Sequence, residues 1–237
     1  MNGMQTAQII HNASAPQRLS RYGIVNSYLI RDLDGLTAID TGLPGLHRTI
    51  LARAAELGAP LTRIILTHAH SDHTGSLDAI KSATPELEVV TSVREAPLFK
   101  GNKSLLAGEP HSRVRGVLPA VKAKITTTVV DGERIGALEI IATPGHTPGH
   151  ISLLDTRDGT LYAGDVFANI GGLATSAAIN PRFPLPGLLT WNRDLALHSA
   201  ERLRRLRPAR LAPGHGRPID NPVAEMRTAI NQAARRH

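Results

Sequence analysis

Residues 68–73, with the sequence HAHSDH, contain three histidines and one aspartate within six positions. His68, His70, Asp72 and His73 all carry side chains that bind divalent metals through nitrogen or oxygen. On a helix, residues two apart point about 200° apart, but at the end of a strand they share a face. The spacing therefore predicts that His68 and His70 bind one ion, while Asp72 and His73 in the loop beyond are available to a second. Taken alone, the stretch also fits a polar turn that caps a helix.

Three later segments each supply one more nitrogen or oxygen ligand at the junction of a strand and a loop. His146 lies in a turn rich in Gly and Pro, Asp165 ends an apolar run, and His215 lies between two glycines. Because the ends of neighbouring strands meet at one edge of an α/β sheet, ligands from several junctions can converge there. The four segments together predict a metal site. His150, at the start of the next strand, is interpreted as a strand residue satisfied by local hydrogen bonds.

Apolar runs and turn residues predict alternating strands and helices along the whole chain. Predicted strands cover 22–30, 36–40, 62–68, 86–92, 123–130, 136–143, 150–156, 160–165 and 209–214. Predicted helices cover 46–57, 74–83 with Thr74 as its cap, 192–206 and 221–236. Helices with two groups of strands predict an α/β fold, a four-layer αββα sandwich of two mixed sheets in a single domain over 1–237. Segments 99–122 and 166–190 fit neither pattern and are expected to form loops that line the site.

The composition is that of a globular protein, with 41% hydrophobic and 20% charged residues. The absence of cysteine removes thiolate ligands, so a metal must be bound by nitrogen and oxygen. No apolar run reaches the ~20 residues of a membrane span, and the first residues lack the pattern of a signal peptide, which predicts a cytoplasmic location and no membrane partner. The net charge of +7 permits an acidic partner. However, the basic run 201–211 is typical of a solvated helix face, and the low aromatic content argues against nucleic acid.

The combined motifs resemble the metallo-β-lactamase superfamily of metal-dependent hydrolases. HAHSDH matches its HxHxDH signature, and Asp-Thr-Gly at 40–42, His146, Asp165 and His215 follow in the family's order, from about residue 20 to residue 220. The resemblance implies a dinuclear site, with one ion held by His68, His70 and His146 and the second by Asp72, His73 and His215. It also implies that Asp165 bridges the ions and that Asp40 accepts a hydrogen bond from a ligand histidine, which fixes its tautomer.

A site of this kind activates water, because two ions ~3.5–4 Å apart lower the pKa of a shared water toward neutrality. Asp72 is the expected catalytic residue, since it can bind an ion through one oxygen and relay the proton of the bridging hydroxide with the other. Zinc is the expected metal for both ions, although Mn or Fe also suits these ligands. The resemblance thus predicts a hydrolase of a small carboxyl ester, lactone or thioester. Its partner is a small-molecule acyl substrate, and the oligomeric state stays open.

Several branches of the superfamily are similar to this chain. Glyoxalase-II-like thioesterases share THAHSDHTG and TPGHTPGHI, but usually continue after the last histidine with a helical domain that binds glutathione, where this chain has only 216–237. Acyl-homoserine lactonases resemble it in size and in all seven ligands, yet their tyrosine three residues after the bridging aspartate is Ala168 here. True β-lactamases lack the carboxylate found at Asp165.

Two other reactions and one structural question stay open. A mononuclear iron oxygenase of the persulfide dioxygenase type shares most of the motif but binds its iron with two histidines and one aspartate. A nucleic-acid-processing relative is motivated by the +7 charge. The apolar residues of 166–190 either line an acyl pocket or pack in the core: Phe167, Ile170, Leu173, Phe183, Leu185 and Leu188.

Overall fold

The computed structural model describes residues 16–118 and 121–236, which contain thirteen strands and six α-helices. The first half of the chain forms β1 (Gln17–Arg21), β2 (Val25–Asp32), β3 (Gly35–Ile39), α1 (His47–Glu56), β4 (Leu61–Ile65), α2 (Ser71–Thr74), α3 (Leu77–Ala83), β5 (Glu88–Ser92) and β6 (Thr127–Val129). The second half forms β7 (Arg134–Ile135), β8 (Leu138–Ala142), β9 (Ile151–Asp155), β10 (Thr160–Asn169), β11 (Leu173–Thr175), α4 (Leu185–Leu189), α5 (Arg193–Arg205), β12 (Arg210–Gly216), β13 (Ile219–Asp220) and α6 (Val223–Ala234).

The strands form one mixed, curled sheet in the order β6-β5-β4-β3-β2-β12-β10-β9-β8-β7, where two separate sheets were expected. One half of the sheet contains β2–β6 and the other contains β7–β10 and β12. The two halves meet where β12 pairs antiparallel with β2 at one position, between Val25 and His215. Polar side chains of β2 secure this junction, because the Asn26 amide donates to the carbonyls of Pro213 and Gly216 at 2.8 and 2.7 Å. The α/β content predicted from the sequence is confirmed, and the halves are hydrogen-bonded into one sheet.

Consecutive strand residues pack into different apolar clusters, because successive side chains point to opposite faces of a sheet. Ile64 of β4 packs with Ile50 of α1, whereas its neighbour Ile65 packs between the two halves of the sheet. Leu161 of β10 likewise packs under α5 and α6, whereas Tyr162 faces the other half. Both faces of the central strands are therefore buried, which explains their nearly continuous apolar runs. None of the helices in the described ranges is both long and apolar enough to cross a membrane.

Predicted and observed elements differ mainly around the candidate site. Thr74 does not cap the helix predicted over 74–83: it ends the short helix α2, its hydroxyl donates to the carbonyl of His70, and α3 begins after Ser76. The 166–190 segment is not a single loop, since β10 extends to Asn169 and β11 and α4 follow. The remaining predicted strands and helices lie within a few residues of observed ones, while β1, β7 and β13 have no predicted counterpart.

Candidate metal centre

Strand ends and the helix α2 bring the predicted ligands to one place. His68 and His70 follow β4, His146 lies between β8 and β9, Asp165 belongs to β10 and His215 to β12. In each of three groups the ligand atoms all lie within 4.8 Å of one another, and the groups are His68, His70 and His146; His68, His73 and Asp165; and Asp72, His73 and His215. All of these residues are buried except Asp72, whose side chain is 32% exposed.

Asp165 lies between histidines of the two predicted groups. Its Oδ1 is 3.1 Å from Nε2 of His73, and its Oδ2 is 3.1 Å from Nε2 of His215 and 3.4 Å from Nε2 of His146. Although burial disfavours its charge, His215 and His73 hold the pKa of Asp165 well below its usual range. The carboxylate therefore stays ionised, as a ligand shared by two ions would be.

Hydrogen bonds at the outer nitrogens of two histidines fix their tautomers. Nδ1 of His73 lies 2.7 Å from Oδ2 of Asp40, which can only accept. The Thr67 hydroxyl donates to the same Oδ2 at 2.8 Å and so accepts from Nδ1 of His68 at 3.0 Å. In both histidines the inner nitrogen, Nε2, is buried without a hydrogen-bond partner, and it carries the lone pair when the ring is neutral. The predicted contact of Asp40 with a histidine is present, and that histidine is His73.

Two more histidines are oriented by the segments that the sequence patterns left unassigned. Nε2 of His70 donates to the carbonyl of Arg115 at 3.1 Å, which leaves the lone pair on Nδ1. Nδ1 of His146 lies 3.1 Å from the Thr190 hydroxyl, whose hydrogen is directed to backbone carbonyls. The inner nitrogens of His70 and His146 are 3.0 Å apart.

This arrangement of lone pairs tests whether the residues fit a metal. Two nitrogen lone pairs 3.0 Å apart repel unless a proton or a cation lies between them. Burial lowers the pKa of His68, His70 and His146, which disfavours a proton. His73 differs, because despite its burial the carboxylates of Asp165, Asp40 and Asp72 raise its pKa. Buried, converging and mostly uncharged nitrogens next to the ionised carboxylate of Asp165 fit a divalent cation.

His150 has the local hydrogen bonds that the sequence suggested. Its Nδ1 lies 2.8 Å from the Thr143 hydroxyl, and its Nε2 accepts from the backbone N–H of Asp165 at 3.0 Å. Because Nε2 accepts, the ring is neutral, and burial lowers the pKa of His150 to about 3. His150 thus positions the backbone of Asp165.

His150→Gln is expected to change how stability depends on pH, since glutamine can keep the acceptor but does not titrate. In metal-free protein the depressed pKa of His150 stabilises the fold above about pH 6.5, and this contribution falls by about 2 kcal/mol between pH 7.5 and pH 5, because the unfolded chain then takes up a proton. Urea unfolding with a chelator should therefore show a smaller loss of stability for the variant on acidification. Parallel pH profiles of the two proteins would contradict the assignment.

Two chain segments meet over the site. The Trp191 indole donates to the carbonyl of Ser112 at 2.8 Å, and the Arg115 guanidinium donates to the carbonyl of Leu188 at 3.3 Å. The Phe183 ring lies 5.0 Å from the ring of His215. Of the other apolar residues of 166–190, Phe167 and Leu173 pack in the core, whereas Leu185 and Leu188 are exposed.

Gly116→Ala is expected to disturb His70 and to lower metal affinity. A Cβ at this position would lie 2.1 Å from Nε2 of His70, and the backbone φ is +86°. Since losing the partner of a ligand histidine typically costs about 10–100-fold in affinity, we expect a decrease of that size for one ion in a competitive chelator titration. Gly108→Ala is the matched control, with φ of +85° and nothing within 4 Å of its Cβ. Equal affinities of the two variants would refute the role of this contact.

A family model described as the metallo-beta-lactamase superfamily matches residues 21–215, a span that includes every residue of the site. The chain belongs to the metallo-beta-lactamase superfamily. Members of this superfamily are metal-dependent hydrolases that bind divalent ions, which agrees with the converging nitrogens and carboxylates. Both the resemblance stated from the motifs and the general class of enzyme are confirmed.

Relatives within the superfamily differ in how much of their length they share with this chain. The uncharacterized protein YobT of Bacillus subtilis is 44% identical over 210 residues, which cover 88% of this chain and 90% of YobT. A hydroxyacylglutathione hydrolase of Rhodospirillum rubrum is 36% identical over 132 residues, which cover 54% of this chain but only 42% of that enzyme. The crystal structure of TTHA1623 in a di-iron-bound form has a TM-score of 0.64 and 26% identity, and the match covers 88% of this chain and 96% of TTHA1623.

Proposed function

We propose that this superfamily member is a dinuclear metal-dependent hydrolase that cleaves a small carboxyl ester, lactone or thioester. The observation that carries the proposal is the Asp165 carboxylate, which lies within 3.4 Å of histidine nitrogens from both predicted ligand groups. A carboxylate whose Oδ2 lies near nitrogens of both ligand groups suits a bridging position between two ions. The apolar clusters on both sides of the curled sheet support the four-layer arrangement as the frame of this site.

His68, His70 and His146 would hold one ion, Asp72, His73 and His215 the other, and Asp165 both. Two such ions supply Lewis acidity and a hydroxide at neutral pH. We propose zinc for both positions. The nitrogen and oxygen ligands also accept Mn or Fe, and the di-iron form of TTHA1623 favours testing iron.

Asp72 is the residue best placed to move a proton. Its Oδ2 lies 3.4 Å from Nε2 of His215 and 3.8 Å from Nε2 of His73, and its side chain is 32% exposed in an otherwise buried cluster. One oxygen therefore faces the site while solvent reaches the carboxylate. We propose that Asp72 accepts the proton of the attacking water and delivers it to the leaving group.

An acyl substrate is favoured by the apolar side chains beside the site. Phe183 contacts the ring of His215, and the exposed Leu185 and Leu188 lie in the same segment. Such side chains bind the hydrocarbon part of an acyl group, while the polar cluster orients its carbonyl. Because one relative is a hydroxyacylglutathione hydrolase, a thioester is among the first compounds to test. A cytoplasmic location and the absence of a nucleic-acid partner remain predictions.

Metal analysis together with substrate panels tests the proposal. Purified protein loaded with Zn²⁺, Mn²⁺ or Fe²⁺ is expected to hold two ions per chain and to hydrolyse at least one of a lactone, a thioester and an aryl ester. His68→Ala should lower that rate by about 10²-fold or more. Equal rates for the wild type and the variant would reject the proposal. About one iron per chain with oxygen uptake would instead indicate the persulfide dioxygenase type of reaction.

A further inference from the structure

Glu95 is a fully buried carboxylate outside the predicted ligand set. It follows β5, and none of its side chain is exposed. Its neighbour Arg94 is paired with Glu109 through two hydrogen bonds of 2.5 and 2.8 Å. The hydrogen bonds recorded for the Glu95 carboxylate are all with uncharged donors. Burying a carboxyl group costs free energy unless hydrogen bonds compensate for the lost contact with water. The hydrogen bonds of Glu95 therefore indicate what it does in the structure.

The Glu95 carboxylate joins the two loops that carry His68, His70 and His146. Oε1 accepts from the backbone N–H of Ala69 at 2.9 Å, and Ala69 lies between His68 and His70 in the sequence. Oε2 accepts from the Thr147 hydroxyl and from the backbone N–H of Gly149, both at 2.9 Å. Thr147 directly follows His146. One side chain thus contacts both loops of this ligand group.

Contacts around Ser92 strengthen the same connection. The Ser92 hydroxyl donates to the carbonyl of Gly149 at 2.6 Å and accepts from the backbone N–H of Glu95 at 3.0 Å. The backbones approach so closely that a Cβ at Gly149 would lie 2.2 Å from the nitrogen of Glu95. The turn after β5 is therefore hydrogen-bonded to, and closely packed against, the loop that carries His146.

We infer that Glu95 is a positioning residue that sets the spacing of His68, His70 and His146 and thereby the affinity of this group for its ion. The inference rests on the proposed function, because it concerns one of the two proposed ions. Among the described residues, no hydrogen bond or ion pair joins Glu95 to Asp72, His73 or His215. Loss of the carboxylate should therefore weaken one ion selectively.

Glu95→Gln is a size-matched test of the carboxylate. Glutamine has one acceptor oxygen, so its NH₂ group must face either the N–H of Ala69 or the N–H of Gly149. Neither backbone donor can reverse its role, and one of the two loops loses its hydrogen bond. Thr147→Val removes a single donor by a smaller change, while Thr147→Ser keeps the hydroxyl. Glu109→Gln is the control for the turn itself, since it removes the charge paired with Arg94 while its amide oxygen can still accept from the backbone N–H of Leu106.

Two measurements test these variants. A competitive chelator titration with Zn²⁺ gives the affinity for each ion, and amide hydrogen exchange of the metal-free proteins reports the loss of backbone hydrogen bonds. Glu95→Gln should lower the affinity for one ion by about 10–100-fold and leave the other unchanged. Exchange at Ala69 or Gly149 should accelerate by about 10-fold or more. Thr147→Val should weaken the same ion by a smaller factor, and Thr147→Ser and Glu109→Gln should match the wild type.

The outcomes separate this inference from the proposed hydrolysis. Equal weakening of both ions, or unchanged affinity with unchanged exchange at Ala69 and Gly149, overturns the role of Glu95. If Glu95→Gln does not fold, the Thr147→Val and Thr147→Ser pair decides by the same criterion. A wild type that binds two ions but hydrolyses no compound of the panel rejects the proposed function and leaves the inference on Glu95 intact.

Discussion

Asp165→Asn is expected to abolish most of the hydrolytic activity, with a decrease of about 10³-fold or more, without unfolding the protein. The amide keeps the size of the carboxylate but removes the negative charge that lies within 3.4 Å of Nε2 of His73, His146 and His215. The NH₂ group of asparagine can donate to one of these lone pairs. Because the depressed pKa of Asp165 stabilises the metal-free fold at neutral pH, the metal-free variant should be less stable than the metal-free wild type but still folded.

The contrast between metal-loaded and metal-free protein makes this prediction specific. Thermal unfolding with a chelator should still show one cooperative transition for Asp165→Asn, which shows that the variant folds, whereas metal analysis should show fewer than two ions per chain. Asp155→Asn is the matched control, because Asp155 is also buried but pairs with Arg157 at the far end of β9 from His150. The control should lose stability and keep its metals. Full metal content in Asp165→Asn would contradict the bridging position.

Most of the candidate ligands could be predicted from local sequence signals. His68, His70, His146, Asp165 and His215 were predicted as ligands because each lies at a turn next to an apolar run, and strand ends must meet at an edge of the sheet. In the structure their ligand atoms lie within 4.8 Å of one another in three overlapping groups, and their binding of a metal stays a prediction. Such signals are local, since they combine residue type, turn chemistry and the alternation of buried side chains.

The partners that orient these histidines have no comparable signal. The carbonyl of Arg115 binds His70 across 45 positions, and Thr190 binds His146 across 44. Any residue has a backbone carbonyl, and a threonine in a segment rich in Gly and Pro is ordinary. These contacts exist because 99–122 and 166–190 meet over the site, where Arg115 donates to the carbonyl of Leu188, and this meeting is a property of the tertiary fold.

Local sequence patterns also could not predict that the strands join into one curled sheet. Asn26 on β2 contacts the carbonyls of Pro213 and Gly216, which lie 187 and 190 positions away. A single asparagine in an apolar run indicates a buried polar contact but not its partner. The two groups of strands were therefore predicted correctly as strands, while their union into one sheet was not.

Asp40→Asn is expected to reduce activity by about 10³–10⁴-fold, because an amide no longer fixes the hydrogen of His73 on Nδ1. Asp40 accepts from the N–H and the hydroxyl of Thr67 at 2.8 Å each and from Nδ1 of His73 at 2.7 Å. Asparagine also tolerates the φ of +56° found at this position, so the backbone is unchanged, and only the charge and the hydrogen-bonding pattern of the side chain are altered.

Either orientation of the new amide damages the site. If its oxygen faces His73, its NH₂ group opposes the N–H of Thr67, which leaves a buried donor unpaired at a cost of about 1–3 kcal/mol. If its NH₂ group faces His73, Nδ1 must accept and the hydrogen moves to Nε2, the nitrogen that lies 3.1 Å from Asp165. A chelator titration should then show about 10–100-fold weaker binding of the ion assigned to Asp72, His73 and His215. The other ion should lose less, because Asp40 reaches it only through the Thr67 hydroxyl that accepts from His68. Because Glu95→Gln is expected to weaken the opposite ion, equal losses at both ions in Asp40→Asn would refute the division of the ligands into two groups.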